Sequence, residues 1–164
     1  NDCKYGYKVL ENTIDLNLLR STNYPGVNAD KGKHEFTYSL YPHNGDYVTG
    51  EVAKRADELN IPLNCIKVNS SKDQLPKTKS FIEILDGDVV IESVKKAEDD
   101  NDIIVRLYEN NSSSVNAQIF FNFDVKSVQL VDMMEENASD IPIEKGIVNL
   151  RFKPFEIHTL KVNI

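Results

Sequence analysis

Three histidines, two cysteines and 26 acidic residues are the groups in this chain with the most scope for chemistry. His34 and His43 lie nine residues apart with Glu35 beside the first, which supplies half a metal site without the spacing that pairs two imidazoles. His34 falls on the apolar face of an alternating stretch and reads as a hydrogen-bonded core histidine. His158, on the face opposite Ile157, reads as a surface residue. The pairs Asp99/Asp100 and Glu135/Glu136 could serve glycoside hydrolysis only as carboxyls facing each other across a sugar, about 5 to 9 Å apart. Neighbours in a turn read instead as a solvated acidic turn. No Gly-x-Gly-x-x-Gly, phosphate loop or Gly-x-Ser-x-Gly is present. Cys3 and Cys65 make neither a disulfide framework nor a zinc spacing, and read as two reduced thiols in a cytoplasmic protein. The opening Asn1-Asp-Cys-Lys-Tyr-Gly-Tyr combines polar groups, a glycine and two aromatics ahead of a hairpin. That composition suits a loop that meets a ligand and an ordinary strand entry equally well.

The elements that must position these groups are mostly strands. Residues 13–19 alternate with Ile14, Leu16 and Leu18 on one face, and residues 7–10 before them complete a hairpin around Glu11-Asn12. Residues 34–41 alternate again, and residues 65–68 have strand character. One helix is expected over 50–59, where Val52, Ala53, Ala56 and Leu59 form an apolar stripe that Asn60 and Pro62 terminate. The polar stretch 69–79 marks the best domain boundary. Seven short strands follow, at 81–85, 89–95, 103–109, 115–121, 127–133, 147–152 and 157–162, separated by Asp, Asn, Ser and Gly turns. That spacing predicts an antiparallel β-sandwich, so the fold class is all-β with one short helix.

The formal charge of −7 and pI near 5.0 disfavour a general nucleic-acid binder, because phosphate affinity needs a basic surface. No apolar run exceeds three residues, where a membrane helix needs about twenty. The expectation is a chain without a membrane-spanning helix. It begins with Asn1 in a segment that already reads as structured, as expected for a piece of a longer polypeptide.

Several words occur in a telling order: Asn1-Asp-Cys-Lys-Tyr-Gly-Tyr, Leu18-Leu-Arg-Ser, Asn23-Tyr-Pro, and Asp30-Lys-Gly-Lys-His-Glu-Phe-Thr-Tyr-Ser-Leu-Tyr-Pro-His-Asn-Gly. Val94-Lys-Lys-Ala-Glu-Asp, Ile104-Val-Arg-Leu-Tyr-Glu and Lys153-Pro-Phe-Glu-Ile follow. Together they resemble the C-terminal part of the alpha-mannosidases of glycoside hydrolase family 38, in their bacterial form. The resemblance covers nearly the whole chain and is loosest over 126–146.

The resemblance implies a retaining, metal-dependent exo-glycosidase as the parent enzyme, acting on alpha-linked mannose. Zinc or another divalent metal, the nucleophile and the acid/base would belong to an N-terminal α/β barrel and an adjoining helical domain. Those parts of the same polypeptide and the mannoside would be the partners, and a homo-oligomer is compatible with this. No catalytic residue and no metal ligand are expected here. Residues 1–69 would be the tail of a large central β domain, 70–79 a linker and 80–164 the terminal sandwich. The family's turn of Asp followed four residues later by Gly approaches the sugar, which makes Asp2, Tyr5 and Gly6 the candidate pocket-lining residues. Two other readings are a stand-alone carbohydrate-binding sandwich and a hydrolase of the mannosylglycerate type. A free-standing module would bind mannose saturably by itself.

Overall fold

The computed structural model describes residues 6–68 and 76–164. Backbone contacts divide the chain into two units, Asn1–Asn69 and Ser70–Ile164. Residues 70–75 of the expected linker lie outside the described part.

The first unit opens with strands β1 (Tyr7–Leu10) and β2 (Thr13–Leu16), an antiparallel hairpin in which Tyr7 pairs Leu16 and Val9 pairs Ile14. Alternation therefore puts Tyr7, Val9, Ile14 and Leu16 on one face. That face is open: Tyr7, Val9 and Ile14 are 68, 58 and 60% exposed. Helix α1 (Val52–Asn60) forms where expected, with Val52, Ala53, Ala56 and Leu59 half-buried. Arg55 braces it on the surface, bonding Glu51 at 2.9 Å and Glu58 at 2.7 Å. Pro62 follows its last turn and blocks continuation.

Residues 34–41 do not form the expected strand, and 65–68 do not either. The alternation is real, but a strand exists only where its backbone groups find a ladder partner, and among the described residues of this unit only β1 and β2 pair. Tyr38 and Leu40 are correspondingly exposed. Among those residues Gly50 alone is buried, so this unit has no apolar core of its own.

The second unit is a two-sheet sandwich. Its strands are β3 (Ile82–Asp86), β4 (Val90–Lys96), β5 (Ile103–Tyr108), β6 (Val115–Phe121), β7 (Ser127–Val131), β8 (Ser139–Ile141), β9 (Ile143–Glu144), β10 (Ile147–Phe152) and β11 (Ile157–Asn163). The smaller sheet runs β3-β6-β10-β9 and the larger β4-β5-β11-β7-β8, with antiparallel pairing throughout. The mostly antiparallel, one-helix architecture expected from the sequence is borne out.

Period-two patterning builds the core. Ala117, Ile119 and Phe121 of β6 and Val148 and Phe152 of β10 meet Val105 and Leu107 of β5, Leu160 and Val162 of β11, and Val128 of β7. The intervening Asn116, Gln118, Asn149 and Arg151 of the smaller sheet face outward and are exposed. Strands β8 and β9 were not expected. They are edge strands of three and two residues on either side of Pro142, too short to show any period.

Candidate functional site

Of the three expected pocket residues, Asp2 and Tyr5 lie outside the described residues. Gly6 is described and leads into β1 with φ +66°, a left-handed conformation that costs glycine little. Its carbonyl accepts the N–H of Asn17 at 3.1 Å and closes the open end of the hairpin. Nothing lies within 4 Å of the position a Cβ would take, so conformation alone makes a side chain unfavourable there.

The histidines do not converge. His34 is exposed, contrary to the core role expected for it, because the strand that would have turned it inward does not form. Its Nε2 contacts the Asp30 carbonyl at 2.7 Å, and its ring stacks on Phe36 at 5.9 Å. His43 stacks on Tyr41 and packs so closely on Gly50 that a Cβ there would come within 2.3 Å of Nδ1. His158 corrects the expectation in the other direction. The face opposite Ile157 is the core face, so His158 is half-buried, edge-on to Phe152 at 4.5 Å, with Nε2 3.1 Å from the Arg151 carbonyl.

The acidic pairs are structural. Asp100 holds Lys161 at 2.6 Å, and Glu135 holds Lys95 at 2.5 Å while accepting the Glu98 N–H. Those lysines keep both carboxyls below their ordinary range. Neither pair places two carboxylates across a cleft. Among the described residues no three His, Cys, Asp or Glu side chains gather as a metal site, so the donor set does not fit zinc.

One buried charge escaped the sequence reading. Glu109 is 1% exposed at the end of β5. Its carboxylate accepts the Asn111 N–H at 2.7 Å and the Ser113 hydroxyl at 3.0 Å, and reaches the Phe155 N–H at 2.9 Å. Burial pushes this carboxyl up, but the amides of Phe155 and Asn111 and the bonds from Ser113 outweigh it and hold it low. The Glu109 N–H donates to the Glu156 carbonyl, and Asn111 also bonds Asp88. Glu109 thus ties the β5–β6 loop to the β10–β11 loop. The available signal was Asn110-Asn-Ser-Ser-Ser, a donor-rich turn that requires an acceptor. Open depressions of about 350 Å³ beside Phe123 and Lys145, and about 390 Å³ between Gln118 and Arg151, contain none of these groups.

The decisive comparison falls on this sandwich. Residues 88–160 match the glycosyl hydrolases family 38 C-terminal beta sandwich domain. That match lies within the second unit. Across both units the chain is 34% identical to alpha-mannosidase 2C1 of Homo sapiens, over 166 residues that make up 98% of this chain. It is 34% identical to alpha-mannosidase G of Dictyostelium discoideum over 98% of the chain, and 29% identical to the alpha-mannosidase of Saccharomyces cerevisiae over 99%. The chain spans only 16, 15 and 17% of those relatives' own lengths. The match begins at Asp88 and ends at Leu160, so it includes Glu109, Ser113 and Phe155.

Proposed function

We propose that this chain is the C-terminal β region of a cytoplasmic alpha-mannosidase that removes terminal alpha-linked mannose from oligosaccharides. On this reading the chain is inactive alone, supports the catalytic barrel and lends the loop at residues 1–7 to the sugar pocket. The observation that carries it is the alignment of 98% of the chain with proteins named alpha-mannosidase, of which it spans about one sixth. The open apolar face of the β1–β2 hairpin supports it: two strands rarely stand alone in water, and the remainder of a large β domain would cover Tyr7, Val9 and Ile14. The alternation of residues 34–41, which form no strand here, fits a segment that becomes a strand within that same domain. Any divalent metal belongs to the barrel, since the donors described here do not assemble one.

The pocket assignment is tested by Asp2→Ala in the complete polypeptide. Loss of one charge-assisted hydrogen bond to the sugar lowers kcat/KM roughly ten- to a hundred-fold. The thermal midpoint stays within about 2 °C, because on this reading the carboxylate serves the sugar and not the fold. A plain turn former would give the reverse: near-normal kinetics with a lowered midpoint.

A further inference from the structure

The outer face of the smaller sheet carries a depression lined by polar side chains. Cross-strand pairing sets Asp86, Gln118 and Asn149 in one row over β3, β6 and β10, and Asn116 opposite Arg151 beside it. All five residues are exposed, and they border the open depression of about 390 Å³. Plain alternation would not bring Asp86 there. The register shifts between Ile84 and Asp86, so Leu85 is the extra residue and Asp86 takes the place opposite Gln118. Gly87 permits this approach. At φ +90° it lies so close to β6 that a Cβ would stand 2.7 Å from the Asn116 carbonyl oxygen.

The polar atoms around the depression are mixed in kind. Gln118 Nε2 donates to Asn149 Oδ1 at 3.0 Å, which orients both amides. It leaves Gln118 Oε1 to accept and Asn149 Nδ2 to donate. One Asp86 oxygen accepts the Gly87 N–H at 2.9 Å, and the other remains to accept. Among the described residues no carboxylate pairs with Arg151, whose guanidinium adds a planar set of donors. Phe120, the next outward residue of β6, is half-buried and gives this face an apolar neighbour.

We propose that this depression binds a neutral saccharide through its hydroxyls, with a mannose unit of an oligosaccharide as the occupant. The choice of mannose rests on the proposed function, whereas the class of ligand rests on the side chains. Every sugar hydroxyl donates and accepts, which matches neighbouring acceptors and donors on Gln118, Asn149, Asp86 and Arg151. An anion drawn to Arg151 would meet the carboxylate of Asp86, and a cation drawn to Asp86 would meet Arg151. An apolar partner would bury both charges without a mate. The ring of Phe120 suits the C–H side of a sugar. The volume falls at the lower end of the roughly 300–1,000 Å³ that small-molecule sites occupy.

The test photolyses a diazirine-bearing mannobiose with the complete polypeptide and maps the label peptide by peptide. The proposal predicts label on β6 and β10, displaced by plain mannobiose at concentrations on the order of 1 mM, as expected of an open polar site. Gln118→Ala combined with Arg151→Ala lowers that labelling at least about tenfold. Both side chains are exposed, so the fold survives; if it does not, Asn149→Ala is read instead. Label absent from β6 and β10, or present there and not displaced by mannobiose, overturns the proposal. Displacement by inorganic sulfate and not by mannobiose also overturns it, by making the depression an anion site on Arg151. Hydrolysis of an aryl alpha-mannoside by the unsubstituted polypeptide is measured alongside. Its absence would count against the proposed function, whereas an active enzyme unlabelled at β6 and β10 counts against this site only.

Discussion

Glu109→Ala is expected to destabilise the sandwich by about 3–5 kcal/mol, more than any surface substitution in the chain. The substitution removes the acceptor of three donors at once: the amides of Asn111 and Phe155 and the hydroxyl of Ser113. Each donor left dry costs on the order of 1–3 kcal/mol, and water entering the vacated space recovers part of that. Glu109→Gln keeps one acceptor oxygen and loses the charge, so it is expected to cost about half as much. Urea unfolding of the three proteins checks the order. Equal midpoints would show that the two loops hold without this carboxylate.

The same residue gives a pH signature. Its folded pKa lies below the ordinary glutamate range, so the bonded carboxylate stabilises the fold fully above the unfolded value, about 4.3. That contribution is lost as pH falls through the lower, folded value. The stability gap between wild type and Glu109→Gln is therefore constant near neutrality and narrows below about pH 4.3. Asp132 and Glu135, also held low, weaken the fold in the same acidic range but cancel in this difference. A gap that widened with acid would contradict the sign.

The second large expectation separates the two units. Residues 76–164 enclose Phe121, Phe152, Leu107 and Leu160 at no more than 1% exposure, so they are expected to unfold alone in one cooperative transition. For a sandwich of this size the enthalpy is about 60 kcal/mol at the midpoint. Residues 1–68 lack buried apolar side chains among those described and are expected to show no such transition. Calorimetry on the two pieces checks both statements. A cooperative peak from 1–68, or none from 76–164, would mean that the chain folds as one unit.

The sandwich was legible because its core obeys a period of two. Ala117, Ile119 and Phe121 alternate with Asn116 and Gln118 so regularly that β6 matches its expected bounds. Helix α1 was legible for the same reason at a different period, with Pro62 as a stop. The reading failed where pattern and partner part company. Residues 34–41 alternate but form no strand, and His34 is exposed as a result. β8 and β9 pair without enough length to show a pattern. Glu109 was hidden because its partners are backbone amides and a hydroxyl brought together by two loops 46 residues apart in sequence, from Glu109 to Phe155. The pocket residues were read from motif resemblance, and only Gly6 among them has a described conformation.

On the proposed function, the chemistry lies in parts of the polypeptide outside residues 1–164. The direct measurement compares hydrolysis of an aryl alpha-mannoside by the complete polypeptide and by purified residues 1–164, each with and without added zinc. Turnover is expected from the complete polypeptide and none from residues 1–164 under either condition. Turnover by residues 1–164, or an inactive complete polypeptide that is folded and metal-loaded, would contradict it.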